Sequence, residues 1–460
     1  MTREEFKRKF RRTPVARPEL TLLTVFLVAI AIGAGLLALP VSSRAGMPHL
    51  APLDALFMST SATCVTGLAV VDVASQFSAF GQAVILFLIQ LGGVGIMTFA
   101  AFFMVVLGRE LTAKSEALIS STIGGEENRS LRYLLKSTIG MAFGCELAGA
   151  AVLAWHAHGL GHSWPSALWH GLFQAVSAFC NAGISIEHGG IATSRTDWVV
   201  MGVTAILVVA GSLGFVVLSE LANRAANIRG TGGRLSLHTV IVLEAMAVLC
   251  AVGFASFAIV EWGQSLAGMG AVEKTAVAAF QAVASRTSGF APVDMAATSP
   301  VTKFATTVLI FIGGAPGSAA GGIKSTTAAI LVLTMAAVVR GERCVSVRMR
   351  TIPAVVTGQA VASFMTMVFL ALATAIALLV TEGGRGADPA SLIFEAVSAC
   401  STTGLSLGAT GTLSWAGRIV TVVAMYVGRI GPLTAAFLVG RAGGRDMSLT
   451  RFPEEDVIVG

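Results

Sequence analysis

Eight apolar runs of membrane-spanning length, with a shorter apolar run inside each successive pair, constrain this chain more than any other feature. The long runs lie at 19–40, 78–107, 133–156, 197–222, 238–262, 302–338, 353–380 and 414–440. Each is close to or above the roughly 20 residues a helix needs to cross a hydrocarbon core. The short runs lie at 52–63, 166–179, 272–285 and 389–400. A helix of that length rises roughly 16 Å, half a bilayer. Each short helix is therefore expected to enter from the outer side, stop midway and return as a loop. The fold class that follows is an all-α integral membrane protein: eight transmembrane helices and four half-membrane pore helices in a pseudo-fourfold repeat. The repeats occupy 18–108, 131–222, 237–340 and 353–441, between a basic tail at 1–17 and a second tail at 442–460.

Charge placement agrees with a membrane and argues against nucleic acid as a partner. Only 12% of the residues are charged, and 55% are hydrophobic; soluble domains carry about twice that charge. Of the 31 Lys and Arg, 22 fall in five alternate segments: 1–17, 109–136, 223–238, 340–350 and 441–451. That alternation is the positive-inside bias, which places both termini in the cytoplasm. The basic segment 1–17 runs directly into an apolar stretch without a small-residue cleavage site, so the first run is expected to stay as a helix. Three further cations, Arg286, Lys324 and Arg429, fall inside apolar stretches. A charge there is expensive and marks a functional suspect.

The returns after the short helices align. They read Thr63-Cys64-Val65-Thr66-Gly67-Leu68, Phe179-Cys180-Asn181-Ala182-Gly183-Ile184, Arg286-Thr287-Ser288-Gly289-Phe290 and Ser401-Thr402-Thr403-Gly404-Leu405. A phenylalanine precedes the glycine by ten residues in three copies (Phe57, Phe173, Phe394). In the third, Phe280 precedes it by nine, from a shorter helix or a different alignment. A second landmark follows each loop glycine by about 25 residues, a G-x-x-G step: Gly92/Gly95, Gly211/Gly214, Gly314/Gly317 and Gly428/Gly431. In the third copy it widens into Gly313–Lys324, too rich in Gly and Pro to continue a helix. Irregular backbone at that depth survives only inside protein or beside water.

These residue types suit a cation. Carbonyl oxygens from four converging loops can replace an ion's hydration without fixed negative charge, and glycine admits the backbone conformations this requires. The ligating carbonyls are placed on Val65, Thr66, Gly67, Asn181, Ala182, Gly183, Thr287, Ser288, Gly289, Thr402, Thr403 and Gly404. Short-helix C-termini aimed at the centre add partial negative charge. Asp72, Glu187 and Asp294 follow their loop glycines closely, as vestibule carboxylates or as helix caps. Arg429, within the fourth G-x-x-G step, faces the pore or pairs with a buried carboxylate. Arg286 is expected to bond filter or short-helix backbone, with Glu395 as a further partner.

Other signals are weaker. The six cysteines have no metal-ligand spacing, and Cys64 and Cys180 are expected to pack behind the filter. His156, His158, His162 and His170 read as solvated loop and interface residues, with no nearby carboxylate or Cys to complete a ligand set. Gly317…Gly322 with Lys324-Ser325 imitates a phosphate loop, but Ile323 intervenes and no strand precedes it, so no nucleotide is expected on this chain. No nucleophile–base or zinc motif of an intramembrane enzyme is found. A secondary transporter with broken helices is the alternative; it predicts one pair of related breaks rather than four half-helices.

The four loops, the Gly313–Lys324 stretch and Val427-Gly428-Arg429-Ile430-Gly431-Pro432-Leu433-Thr434 together resemble the Trk/Ktr/HKT superfamily of potassium transporters. The likeness is strongest to the bacterial Ktr-type membrane subunit, over essentially the whole chain. The resemblance implies potassium as the permeant ion and Gly67, Gly183, Gly289 and Gly404 as filter glycines. Passive flux, proton coupling and a coupling or modulating role for sodium are left open. It implies an intramembrane gate at Gly313, Gly314, Ala315, Pro316, Gly317, Ser318, Ala319, Ala320, Gly321, Gly322 and Lys324, with Arg429 beside it. It also implies a homodimer in the bacterial inner (plasma) membrane, docked on a cytosolic ring of nucleotide-binding regulatory subunits.

Overall fold

The computed structural model describes residues 18–95, 131–226, 235–286, 288–342, 344–348 and 350–430. The described chain is mostly helical, and its helices recur in the expected order. The first group is α1 (Pro18–Leu37), α2 (Pro52–Thr63) and α3 (Ala79–Gly93). The second is α4 (Leu131–Gly159), α5 (Trp164–Phe179), α6 (Trp198–Leu213) and α7 (Phe215–Ala226). The third is α8 (Leu237–Glu261), α9 (Ala271–Ala284), α10 (Pro300–Phe311) and α11 (Ser325–Val339). The fourth is α12 (Ala354–Glu382), α13 (Pro389–Cys400) and α14 (Trp415–Ile430). A two-stranded antiparallel hairpin, Ser346–Val347 with Arg350–Thr351, joins the third group to the fourth.

Among the described residues, three helices are each long and apolar enough to cross a membrane: Ser137–Gly159 of α4, all of α8, and Ala354–Arg385 around α12. One run expected to be continuous is interrupted, and the break expected within another is found. The run 197–222 bends by 109° between α6 and α7. The run 302–338 is two helices separated by the loop 312–324. Left-handed glycines turn the chain in both. Gly214 has φ 81° and Gly317 φ 70°, a region open to glycine at no steric cost. Gly95, just past α3, has φ 77°. In the first two repeats the second glycine of the step is thus where the chain leaves the helix, whereas in the third the helix has already ended at Phe311 and Gly317 lies within the loop; Gly431 and the remainder of the run 78–107 lie outside the described residues.

The first glycine of the step has a different task. A Cβ on Gly92 would lie 1.9 Å from Thr63 O, on Gly211 1.8 Å from Phe179 O, and on Gly428 2.0 Å from Cys400 O. In three repeats the inner helix therefore touches the C-terminal end of its own short helix, backbone against backbone. Any side chain at that position would drive the two apart. Gly314 does not follow: its neighbours are Ala320, Ser212 and Ser318.

On the outer side, buried carboxylates tie outer helices to inner ones. Glu261, ending α8, accepts from the Ser299 amide at 2.9 Å and from the Thr302 hydroxyl at the start of α10. Glu382, ending α12, accepts from the Ser414 amide at 3.1 Å just before α14. Each carboxylate caps a helix whose first amides have no intrahelical partner. Ion pairs also cross between groups: His188 with Asp72 at 3.2 Å, Arg195 with Glu273 at 3.6 Å, and Arg418 with Asp54.

The glycine contacts can be tested on one helix. Gly211→Ala should lower the yield and melting temperature of detergent-purified protein, overpacking of this kind costing about 1–3 kcal/mol. Gly202→Ala, also on α6 but with open space at its Cβ, should be silent. Equal melting temperatures for the two variants would show that the α5–α6 contact is not tight.

Candidate functional site: a ring of four glycine loops above a broken-helix layer

The four short helices end at Thr63, Phe179, Ala284 and Cys400, and the loops that follow meet one another. A Cβ built on Gly67 would lie 2.4 Å from Ala182 O, and one on Gly183 2.4 Å from Ser288 O. On Gly289 it would lie 2.8 Å from Thr403 O, and on Gly404 2.0 Å from Thr66 O. Each glycine thus abuts the carbonyl just before the glycine of the next loop, and the fourth closes on the first. All four have positive φ, 94°, 65°, 73° and 85°.

Two residues earlier, Val65, Asn181 and Thr402 are also left-handed, at φ 53°, 59° and 47°. For β-branched Val65 and Thr402 this is unfavourable, a strain of roughly 1–3 kcal/mol that only surrounding structure can hold. Alternating handedness turns successive peptide planes to one side. The loops are braced from behind: Ser61 Oγ accepts from Gly67 N and Ser398 Oγ from Gly404 N, both at 3.1 Å, while Ser177 Oγ donates to Ile184 O at 2.6 Å.

The third loop departs from the others. The cap-to-glycine distance is three residues at Cys64, Cys180 and Ser401, but four at Ser285. The offset of Phe280 therefore comes from a longer loop and a shifted phenylalanine, not from a shorter helix. Ser288 N bonds Ala284 O, four residues back, where Thr66, Ala182 and Thr403 bond five back. Of the predicted ligating residues, Thr287 lies outside the described residues; the other eleven are brought together.

Below this ring the loop 312–324 joins the break in the second repeat. Ala315 N donates to Ser212 O at 2.9 Å, Ala319 N to Gly211 O at 3.1 Å, and Phe215 N to Gly317 O at 3.3 Å. The loop's two ends pair with each other through Gly313 N to Ile323 O at 2.8 Å. Its far side rests on the fourth loop, since a Cβ on Gly321 would lie 1.9 Å from Thr402 Oγ1.

All three intramembrane cations converge on this loop. Arg286 donates to Gly313 O at 2.7 Å and Lys324 to Ala320 O at 2.8 Å. Arg429 donates to Ala319 O at 2.6 Å and to Gly92 O, the end of α3. Arg429 thus bonds backbone carbonyls rather than a buried carboxylate. Glu395 is not a partner of Arg286 either: it accepts from Thr410 Oγ1 at 2.6 Å, Leu407 N at 3.2 Å and Ser406. The distance in depth explains this, because Glu395 braces the outer return while Arg286 reaches down to the break.

Of the outer carboxylates, Asp72 caps the turn Val73–Gln76 and Asp294 caps Met295–Ala297. Glu187 receives the Ser194 hydroxyl at 3.2 Å, and His170 lies 3.9 Å away. The His170 ring, and after it Ser194, hold its carboxyl below the usual range despite partial burial. Carboxylates do approach the outer histidines, contrary to the linear reading: His156 meets Asp197 at 2.7 Å from 41 positions away. Among the described residues no group of three or more His, Cys, Asp or Glu could hold a metal. Cys64 and Cys180 are buried and free.

One buried cluster was missed altogether. Glu146, 1% exposed, accepts from Gln90 at 2.9 and 3.1 Å and from the Cys180 thiol at 3.6 Å. Its three members come from three apolar segments and share no spacing, so nothing in the linear pattern joins them.

The model of the family described as "TrkH: Cation transport protein" matches residues 16–442. Ktr system potassium uptake protein B of Bacillus subtilis is 34% identical over 446 residues, covering 96% of this chain and 97% of that one. Potassium/sodium uptake protein NtpJ of Enterococcus hirae is 31% identical over 438 residues, covering 95% of each. The crystal structure of the potassium transporter TrkH from Vibrio parahaemolyticus superposes with a TM-score of 0.71, at 19% identity, over 93% of this chain and 86% of that one. With its ring of glycine loops and a family match that spans nearly its whole length, the chain belongs to the TrkH family of cation transport proteins.

Proposed function

We propose that the chain is a gated, channel-like pore for potassium uptake, with a selectivity filter of backbone carbonyls. The observation that carries this reading is the closed ring in which Gly67, Gly183, Gly289 and Gly404 each abut the carbonyl before the next glycine. Four strands of carbonyls around one passage can replace a cation's water without a fixed charge that would bind it too firmly to leave. The ligating set is Val65, Thr66, Gly67, Asn181, Ala182, Gly183, Thr287, Ser288, Gly289, Thr402, Thr403 and Gly404. Potassium is the permeant, in keeping with the names of the relatives. Sodium as a second or coupled ion has its support in the potassium/sodium relative.

In the same reading the loop 313–324 is the gate, and Arg286, Lys324 and Arg429 are the clamps that hold it across the passage. A guanidinium there also repels an arriving cation. Eight spans and four half-membrane helices, arranged as four repeats between cytoplasmic tails, complete the architecture in a bacterial inner membrane. A relative named as part of a Ktr system supports a separate partner; in this reading the chain is a homodimer whose gate is moved by a cytosolic, nucleotide-binding ring. The chain acts as a transporter rather than an enzyme. A secondary transporter with one pair of broken helices fits less well, because breaks recur in three described repeats.

Rubidium uptake into cells lacking their own potassium uptake tests the reading; flux equal to empty vector, with and without a regulatory subunit, would count against it. Gly404→Ser should lower the rubidium-to-sodium flux ratio by at least about tenfold, ~1.4 kcal/mol of lost discrimination, because its side chain would displace Thr66 O. An unchanged ratio would remove the fourth loop from the filter. Arg429→Gln should raise flux measured without any regulatory subunit, since neutralising the clamp frees Ala319 O and Gly92 O. Unchanged or lower flux in well-folded protein would remove the gate assignment.

A further inference from the structure

The residue directly after each short-helix cap sends its side chain down to the layer of helix breaks. Val65 Cγ2 lies 2.7 Å from where Gly92 would carry a Cβ, and Asn181 Nδ2 stands equally close at Gly211. Arg286 reaches Gly313 O, and Thr402 Oγ1 packs on Gly321. In the second repeat this contact continues by hydrogen bonds into the loop 313–324. Asn181 Nδ2 donates to Phe179 O at 3.3 Å, which turns Oδ1 towards Ser212. Ser212 Oγ lies 3.1 Å from that Oδ1, and Ser212 O accepts the amide of Ala315 at 2.9 Å.

Ser212 has a second acceptor. Its hydroxyl is also 2.7 Å from Val208 O, one turn back on α6. A hydroxyl carries one proton, so donating fully to Val208 O releases Asn181, and donating to Asn181 ties it. Both residues are at most 1% exposed, so water cannot replace the bond, and an unmatched amide oxygen there is costly. Asn181 already holds a left-handed backbone at φ 59°, a conformation its neighbours must maintain.

We infer that Ser212 is a positioning residue for the second filter loop: its hydroxyl ties Asn181 to the segment that carries the gating loop. Discrimination between cations then depends on a side chain one layer below the filter. The inference rests on the pore reading proposed above, and the experiment separates the two.

The test is the rubidium-to-sodium flux ratio in proteoliposomes, normalised to reconstituted protein, for the wild type, Ser212→Ala, Ser212→Cys, Asn181→Gly, the double variant Asn181→Gly/Ser212→Ala, and Gly404→Ser. Glycine at 181 keeps the left-handed backbone without strain while removing the side chain. Ser212→Ala should lower the ratio about threefold, the net effect of one lost buried hydrogen bond. Ser212→Cys, a weaker donor, should fall between. In the Asn181→Gly background Ser212→Ala should change nothing further. An equal further loss in that background would mean that Ser212 does not act through Asn181, overturning the inference. A wild-type ratio in Ser212→Ala beside a lowered one in Gly404→Ser overturns it while leaving the pore reading intact. Wild-type ratios in both would overturn the two together.

Discussion

Backbone left outside a helix, in a place where water cannot reach it, must find its hydrogen-bond partners in protein, and this structure is organised around that demand. The interrupted segment 312–324 exposes carbonyls that no helix satisfies. Arg286, Lys324 and Arg429 bond Gly313, Ala320 and Ala319 respectively, and the second repeat's break supplies Ser212 O and Gly211 O as acceptors for its amides. A buried cation is costly when alone, and so is a buried carbonyl; brought together, each offsets the other. The three cations and the irregular loop thus have one explanation.

Glycine meets the same demand at a second level. Where inner helices cross short-helix ends, Gly92, Gly211 and Gly428 leave no room for any Cβ. In the ring the glycines play the complementary part, since positive φ and a neighbouring carbonyl both exclude a side chain. The first set fixes how near the inner helices stand to the glycine loops. The second fixes how near the loops stand to one another. A change at one level reaches the other through a single layer of side chains, those of Val65, Asn181, Arg286 and Thr402.

Much of this was legible in the sequence because repetition makes weak signals mutually supporting. One G-x-x-G step carries little information in an apolar helix; four in register point to breaks, of which three fall among the described residues, and four aligned loops locate the ring. Legibility failed where the deciding contact joined distant segments. The sequence offered no way to choose between a carboxylate and a carbonyl as partner of Arg429, because both are abundant and the choice depends on depth. It hid the Gln90–Glu146–Cys180 cluster for the same reason. The bend at Gly214 was hidden differently: apolar residues continue across it, so hydropathy reads one span where backbone conformation makes two helices.

The third repeat breaks the fourfold rule at every level, and the departures belong together. Its filter loop is one residue longer, its cap-plus-one residue is Arg286 where the other loops have Val65, Asn181 and Thr402, and its inner helix opens into a loop instead of touching its own short helix. In place of that helix contact, the buried Arg286 side chain lies against Met246 and ends on Gly313 O. A short residue would leave that carbonyl unserved. The glycine ring is therefore the part that repeats on four sides, while the loop 312–324 belongs to the third repeat alone among the described residues. On the pore reading proposed above, a strictly fourfold set of helices touching their short-helix ends would have no loop free to move, so the departure of one repeat is what would make a gate possible in a single chain.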